Sequence, residues 1–266
     1  MGDFMKICVF ADVHGNSQAW LNMYKKEKDS VDCFFFLGDI FGYFYDQSAI
    51  IKDFMADDRI VAIKGDHDEY YLKYFCGLTG AELKSIDDVI DDSEDIQSKL
   101  IQNYGCSYRQ RYSRQEQEYM KKLPEYYLTE ADGRRIALFH GGPGHYLEQM
   151  IYPDMEMTVD SIINTYEEVD VMFLGNTHYR MDRMRNNCRV INPGSLGQPR
   201  DGMGFSYGIY DTVSGEFEFR NVEADMESLI MEASIFDGDT KMYRYLQDLY
   251  IQTCDEQCKK SVQEPV

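Results

Sequence analysis

Positive charge is scarce in this chain. Across 266 residues, 27 Lys and Arg face 47 Asp and Glu, a formal net charge of −20 at pH 7. Polymeric nucleic acid is held mainly by cation–phosphate contacts, so this surface repels it and a nuclease acting on long duplex is disfavoured. A small phosphorylated substrate stays open, because metal ions can supply the local positive charge. Long apolar stretches are also missing, and none approaches the roughly 20 residues that span a bilayer, so no membrane association is expected. Met1-Gly2-Asp3-Phe4 leads straight into a strand-like run without a charged segment and an apolar segment before it, so no export signal is expected. The seven cysteines are odd in number and form no paired framework, which points to reduced thiols in a cytoplasmic setting. Cys254 and Cys258 stand one helical turn apart, but two isolated thiols make a poor zinc site. Histidine is rare too, five in all, yet four of them fall in short acidic or glycine-bounded motifs.

Each motif follows a short apolar run. Ile7 to Ala11 precede Asp12-Val13-His14, and Phe34 to Leu37 precede Gly38-Asp39. Ile60 to Ile63 lead to Gly65-Asp66-His67-Asp68, Ile136 to Phe139 to His140-Gly141-Gly142, and Val171 to Leu174 to Gly175-Asn176-Thr177-His178. Runs of this kind read as buried strands. In open α/β sheets ligands bind beyond the carboxyl ends of the strands, so five strands would deliver Asp, His and Asn to one rim. Converging carboxylates and imidazoles suit a metal site, and this number suits two metals. Taken singly, Asp12, Asn16 and Asp66 are equally good as caps at strand-to-helix turns, and His140 as a core histidine.

Asp12, Asp39 and Asp66 recur at intervals of 27 residues, the length of a βαβ repeat. Helices are expected over Ser17 to Lys28, capped by Asn16 or Ser17, and over Gln47 to Met55. Residues from about 69 to 122 read as a polar, helix-rich insertion, with Asp87 to Asp95 as a solvated acidic stretch. A hairpin turn at Asp132-Gly133 should join strands at Tyr126 to Thr129 and Ile136 to Phe139. Val190-Ile191, Phe205 to Tyr210 and Phe217 to Phe219 are expected to form a second, antiparallel sheet. Residues of about 226 to 260 read as an amphipathic helical extension without visible chemistry. Length and ordinary composition fit a single α/β domain over residues 1–266.

In this order the motifs resemble those of the calcineurin-like metallophosphoesterase superfamily. Asn192-Pro193-Gly194-Ser195 resembles an element of its prokaryotic branch. The resemblance covers roughly residues 5 to 213; each motif is weak alone, and six in order are specific. It implies a four-layer α/β/β/α sandwich and a dinuclear centre. Asp12, His14, Asp39 and His178 would hold one divalent ion. Asp39 would bridge to a second, held also by Asp66, His140 and Asn176. A water made acidic between the two ions would attack phosphorus. His67 matches the catalytic histidine that protonates the leaving group or stabilises its charge; Asp68 could orient the His67 ring by accepting its other N–H, or could point the opposite way. Asn16 and Arg200 are the expected substrate contacts.

Two positions depart from the family pattern. Asp66 stands where the family has asparagine, and Asn176 where it has histidine. Both fall on the second ion, where oxygen-rich ligation favours manganese, then iron or magnesium, over zinc. The surplus carboxylate would also weaken the acidity of the bridging water. These changes are compatible with a slower enzyme, with a second site that holds metal only loosely, or with a binding or scaffold module on the same fold, as the retromer scaffold subunit is in this superfamily. Intact ligands for the first ion and the presence of His67 favour the enzyme.

The arginines that protein phosphatase relatives carry after the second and third motifs are missing here, which disfavours that activity. Arg200 is then the best phosphate partner, its alternative being an ion pair with Asp201. Phe41, Tyr43, Phe44 and Tyr45 could stack on a nucleobase or cover apolar surface beneath the insertion, the commoner use. Tyr108 to Arg114 form a basic, aromatic island, read as an exposed helix with a distal phosphate contact as the alternative. His145 is expected to lie exposed on its glycine-rich loop rather than to replace the imidazole missing at Asn176.

Overall fold

The computed structural model describes residues 5–79, 82, 99–100, 106–155, 168–185, 187–238 and 244–248. They build two five-stranded sheets. The first has the order β10-β9-β1-β2-β3 and the second β4-β5-β6-β8-β7. In chain order the strands are β1 (Lys6–Phe10), β2 (Cys33–Phe36), β3 (Ile60–Ala62), β4 (Tyr126–Ala131), β5 (Arg134–Phe139), β6 (Val171–Phe173), β7 (Arg180–Arg185), β8 (Cys188–Pro193), β9 (Ser206–Asp211) and β10 (Phe217–Asn221). The helices are α1 (Ser17–Glu27), α2 (Gln47–Ala56), α3 (Asp66–Tyr74), α4 (Arg114–Lys122) and α5 (Met226–Phe236).

Period-two alternation explains how the layers form. Ile7, Val9 and Phe35 point between the sheets and meet Ile136, Leu138, Val171 and Phe173 of the second sheet. Their neighbours Cys8, Phe10, Phe34 and Phe36 point the other way, onto Trp20 and Met23 of α1 and Ile50 and Phe54 of α2. Both faces of β1 and β2 are therefore buried, which is why these strands read as unbroken apolar runs. All five described helices contribute to this outer cluster. Ala137, Phe139 and Met172 on the far face of the second sheet are covered by Ile151 and Tyr146, and among the described residues no helix lies there.

The expected helices at Ser17 and Gln47 form, and Asn16 Oδ1 caps α1 by accepting from the Ala19 N–H at 3.0 Å. Asp132 and Gly133 adopt φ of 50° and 73° between β4 and β5, the twist a two-residue hairpin demands. The later strands correct the reading from sequence. β7 and β8 join the second sheet, where β8 runs parallel to β6, whereas β9 and β10 join the first sheet beside β1. Alternating patterns fix which face is buried, not which sheet edge a hairpin joins. The acidic stretch Asp87 to Asp95, Cys254 and Cys258 lie outside the described residues.

Candidate metal centre

The five expected strands end at one rim, contributed by both sheets. Beyond β1 the chain turns sharply, with φ of 54° at Asp12 and 45° at His14. Asp39 (69°), Asn176 (66°) and His178 (63°) share this left-handed conformation. Residues other than glycine enter it at a cost, and five such residues gathered at one place mark a functional site.

Backbone hydrogen bonds hold these turns together. The Asp12 N–H donates to Gly38 O and the His14 N–H to Asp39 O, both at 3.0 Å, so the β1 and β2 turns brace one another. Gly65 passes so close to Asp39 that a Cβ there would lie 2.0 Å from Asp39 Oδ1. The Asn192 to Ser195 segment supplies buttresses rather than ligands. Ser195 Oγ donates to Asp12 O at 2.8 Å, and Asn192 Nδ2 donates to Gly175 O at 2.7 Å.

Three imidazoles are oriented alike. His14 Nδ1 donates to Phe41 O at 2.6 Å, His140 Nδ1 to Leu37 O at 2.7 Å, and His178 Nδ1 to Gln198 O at 2.6 Å. A carbonyl only accepts, so each Nδ1 carries a proton and each Nε2 faces the site, with a lone pair on the neutral His14 and His178. His14 Nε2 and His178 Nε2 lie 3.2 Å apart. Two lone pairs so placed need a cation between or beside them.

The carboxylates complete two groups. Asp12, His14, Asp39 and His178 are all buried, with one donor atom from each inside a 4.8 Å cluster. His140 Nε2 lies 3.1 Å from Asp66 Oδ1 and 3.3 Å from Asp39 Oδ2, so Asp39 faces both groups. Asp12 Oδ2 is buried without any hydrogen-bond partner. Burial pushes the Asp12 carboxyl up to about 7 and Asp39 well above its usual range, in both cases against the pull of His140. Burial also lowers His14 and His178 well below the ordinary imidazole range. His140 goes the other way: burial opposes its charge, but Asp39 and Asp66 hold it protonated. Asp66 is held down at about 2, its burial outweighed chiefly by the His140 bond. Three carboxylates thus share one imidazolium, a donor set short of positive charge. An orphaned carboxylate oxygen and facing imidazole lone pairs fit divalent metal ions.

Other expected positions resolve differently. The Asn176 backbone N–H donates to Asp12 Oδ1 at 3.1 Å, while its side-chain Nδ2 donates to Leu147 O at 2.7 Å. Asn16 Nδ2 is buried without a hydrogen-bond partner, the Oδ1 being spent on the helix cap. His145 is exposed, as expected. Asp68 does not orient His67. Its two oxygens accept from the backbone N–H groups of Asp39, Ile40, Phe41 and Gly65, which fixes the β2 turn instead.

His67 Nδ1 meets Tyr108 instead, whose hydroxyl lies 2.5 Å away. Tyr108 is fully buried, stacked at 5.1 Å on Phe75 and 6.4 Å from Phe41. The exposed helix expected around it is corrected: the Tyr108 backbone belongs to a short 3-10 turn, Cys106–Arg109, tucked against the site. Its aromatic neighbours were the only hint in the sequence. Phe41, Tyr43, Phe44 and Tyr45 are likewise buried, with Phe41 stacked 4.0 Å from Tyr71, so they cover apolar surface. Asp201 pairs with Arg180 at 2.9 Å, not with Arg200.

The sequence profile of the calcineurin-like phosphoesterase superfamily domain matches residues 5–215. An uncharacterized protein of Methanocaldococcus jannaschii is 25% identical over 243 residues, 83% of this chain and 88% of the relative. The crystal structure of a hypothetical protein from Pyrococcus horikoshii superposes with a TM-score of 0.74 at 19% identity, covering 91% of this chain and 97% of the other. That of a metallophosphoesterase from Sphaerobacter thermophilus gives 0.70 at 19% identity, covering 92% and 99%.

Proposed function

The chain belongs to the calcineurin-like phosphoesterase superfamily and is a metal-dependent hydrolase of phosphate esters, and we propose that its two donor groups share Asp39 to hold two divalent ions. The observation that supports this reading is the convergence of three Nε2 atoms on buried carboxylates, one of which has an orphaned oxygen. Asp12, His14, Asp39 and His178 would hold the first ion, and Asp39, Asp66, His140 and Asn176 Oδ1 the second. When bound, such ions supply positive charge at the phosphate and a hydroxide nucleophile near neutral pH. Manganese suits the oxygen-rich second group best.

The chain's own residues do the rest. Asp68 fixes the Asp39 turn through four backbone bonds and so keeps the shared carboxylate from swinging. Burial lowers the His67 pKa to about 4, with Asp66 opposing, so the ring is neutral at pH 7. With the Tyr108 hydroxyl taken as donor to Nδ1 across their 2.5 Å contact, a neutral His67 would carry its proton on Nε2. That N–H donates to the leaving oxygen and spreads the charge building there, which makes His67 a hydrogen-bond donor rather than a full acid. Tyr43 and Tyr108, both buried beside the site, lower the local polarity and would strengthen each of these interactions.

A panel of small phosphomonoesters and phosphodiesters, assayed with Mn²⁺, tests the reading. Turnover of at least one ester, abolished by chelation and restored by metal, is expected. Absence of metal-dependent turnover across the panel would leave the scaffold alternative standing.

A further inference from the structure

Beside the donor groups lies a cation that the metal centre does not use. The Arg200 N–H donates to His178 O at 3.3 Å, which ties Arg200 to the rim. Its Nη2 lies 3.3 Å from the Tyr43 hydroxyl and 3.1 Å from Gln198 Oε1, both neutral. Gln198 Nε2 donates onward to the Tyr245 hydroxyl. The Tyr43 ring packs 4.7 Å from His14 and 5.9 Å from Tyr245.

Two facts make this cluster more than a stretch of rim. In a chain of net charge −20, the guanidinium is bonded to phenol and amide, while the adjacent Asp201 is committed to Arg180. A largely buried charge is normally matched by an opposite one; the carboxylate this guanidinium feels is Asp12, a ligand of the first ion, so a phosphate oxygen would be its partner once metal claims Asp12. Tyr245 also comes from outside the family-matched span. It lies in a helical turn at 244–248, pinned by the fully buried Leu246, while Tyr245 itself stays 36% exposed beside Arg200.

We propose that Arg200, Tyr43 and Tyr245 form an anion clamp for a phosphate oxygen, so that the C-terminal extension contributes a substrate-binding residue and the preferred substrates are phosphomonoesters. This rests on the phosphoesterase reading. A diester has two non-bridging oxygens, which a pair of divalent ions held by the two donor groups would neutralise. A monoester has a third, and with it a second negative charge, for a guanidinium and two hydroxyls to hold. Among superfamily members that carry arginines after the second and third motifs, the guanidinium comes from elsewhere; here Arg200 takes that duty, with Tyr245 as its partner.

Calorimetry with inorganic phosphate on the Mn²⁺-loaded full chain tests the clamp directly. Tyr245→Phe removes one hydroxyl from the surface, and Arg200→Lys replaces the fork by a point charge. Each should weaken phosphate binding about 10-fold, the worth of one hydrogen bond to a charged group. Both should lower kcat/KM for p-nitrophenyl phosphate more than for bis-p-nitrophenyl phosphate, with unchanged melting temperature. Phosphate affinity and the monoester-to-diester ratio both equal to the parent's would overturn the proposal. A parent that binds phosphate through these residues yet hydrolyses neither ester would instead overturn the hydrolase reading and leave the clamp in place.

Discussion

At Tyr108 one buried hydroxyl lies 2.5 Å from His67 Nδ1, and in the proposed mechanism it leaves Nε2 to face the substrate. Tyr108→Phe keeps the ring stacking on Phe75 and removes only that hydroxyl. Turnover should fall about 10-fold, with metal content unchanged, because a partner that fixes an imidazole tautomer carries weight of that order. His67→Ala should cost roughly 10²–10⁴-fold on esters with poor leaving groups. An activated aryl ester should lose less, since its leaving oxygen needs little stabilisation. Steady-state rates on the two ester classes check both expectations, and equal losses on each would place His67 away from the leaving group. Asp66 and Asn176 form a second test at this scale. If both serve one ion, Asp66→Asn and Asn176→His should be non-additive in metal affinity, the double variant binding zinc better than the parent. Additive effects in that cycle would separate the two residues.

Elements carry the ligands to the rim, and their ends are where single changes tell most. Gly65 opens α3 with ordinary extended dihedrals, so alanine there is not strained by its backbone. Its Cβ would instead strike Asp39 Oδ1. Gly65→Ala should therefore reduce metal affinity far more than it reduces the melting temperature, measured by calorimetry and thermal denaturation on the same preparation. At the other end of the molecule, Glu27 ties α1 to the first sheet. It is 1% exposed and accepts from Tyr207 at 2.7 Å and from Arg220 at 2.9 Å. Glu27→Ala should cost about 2 kcal/mol, less than a fully buried pair because Arg220 is partly solvated. Its burial opposes ionisation, but bonds from Tyr207, Arg220 and Ser30 prevail and hold it below its ordinary 4.5. A lowered carboxylate pKa contributes stability above 4.5 that is lost as pH falls below it. The gap in melting temperature between parent and Glu27→Ala should therefore narrow between pH 5 and pH 3.5.

The same scale shows what could be read in advance. Strands β1, β2 and β5 declare themselves because both faces are buried, and Asn16 caps α1 because its side chain competes for an N–H at the helix start. Asp12, His14, Asp39, Asp66, His140 and His178 stood out by following those strands. Tyr108 and Tyr245 did not, because each reaches the site through a tertiary contact that no local pattern encodes. Asp68 misled for a related reason: adjacency in sequence to His67 suggested contact with its ring, whereas the first turn of α3 points the carboxylate at the Asp39 backbone.

For the whole molecule, the governing fact is a surplus of negative charge around a centre built from carboxylates. Among the described residues no helix is long and apolar enough to cross a membrane. Two sheets from distant parts of the sequence meet at one rim, β1 to β3 bringing Asp12, His14, Asp39 and Asp66, and β5 and β6 bringing His140, Asn176 and His178. Metal bound there bridges the sheets, so chelation should lower the melting temperature of the whole domain in a single transition. The central claim is that Asp39 joins two cation sites. Calorimetric titration of metal-stripped protein with Mn²⁺ tests it most directly. Two equivalents bound by the parent are the expected result; no binding, or saturation at a single equivalent, would contradict the account.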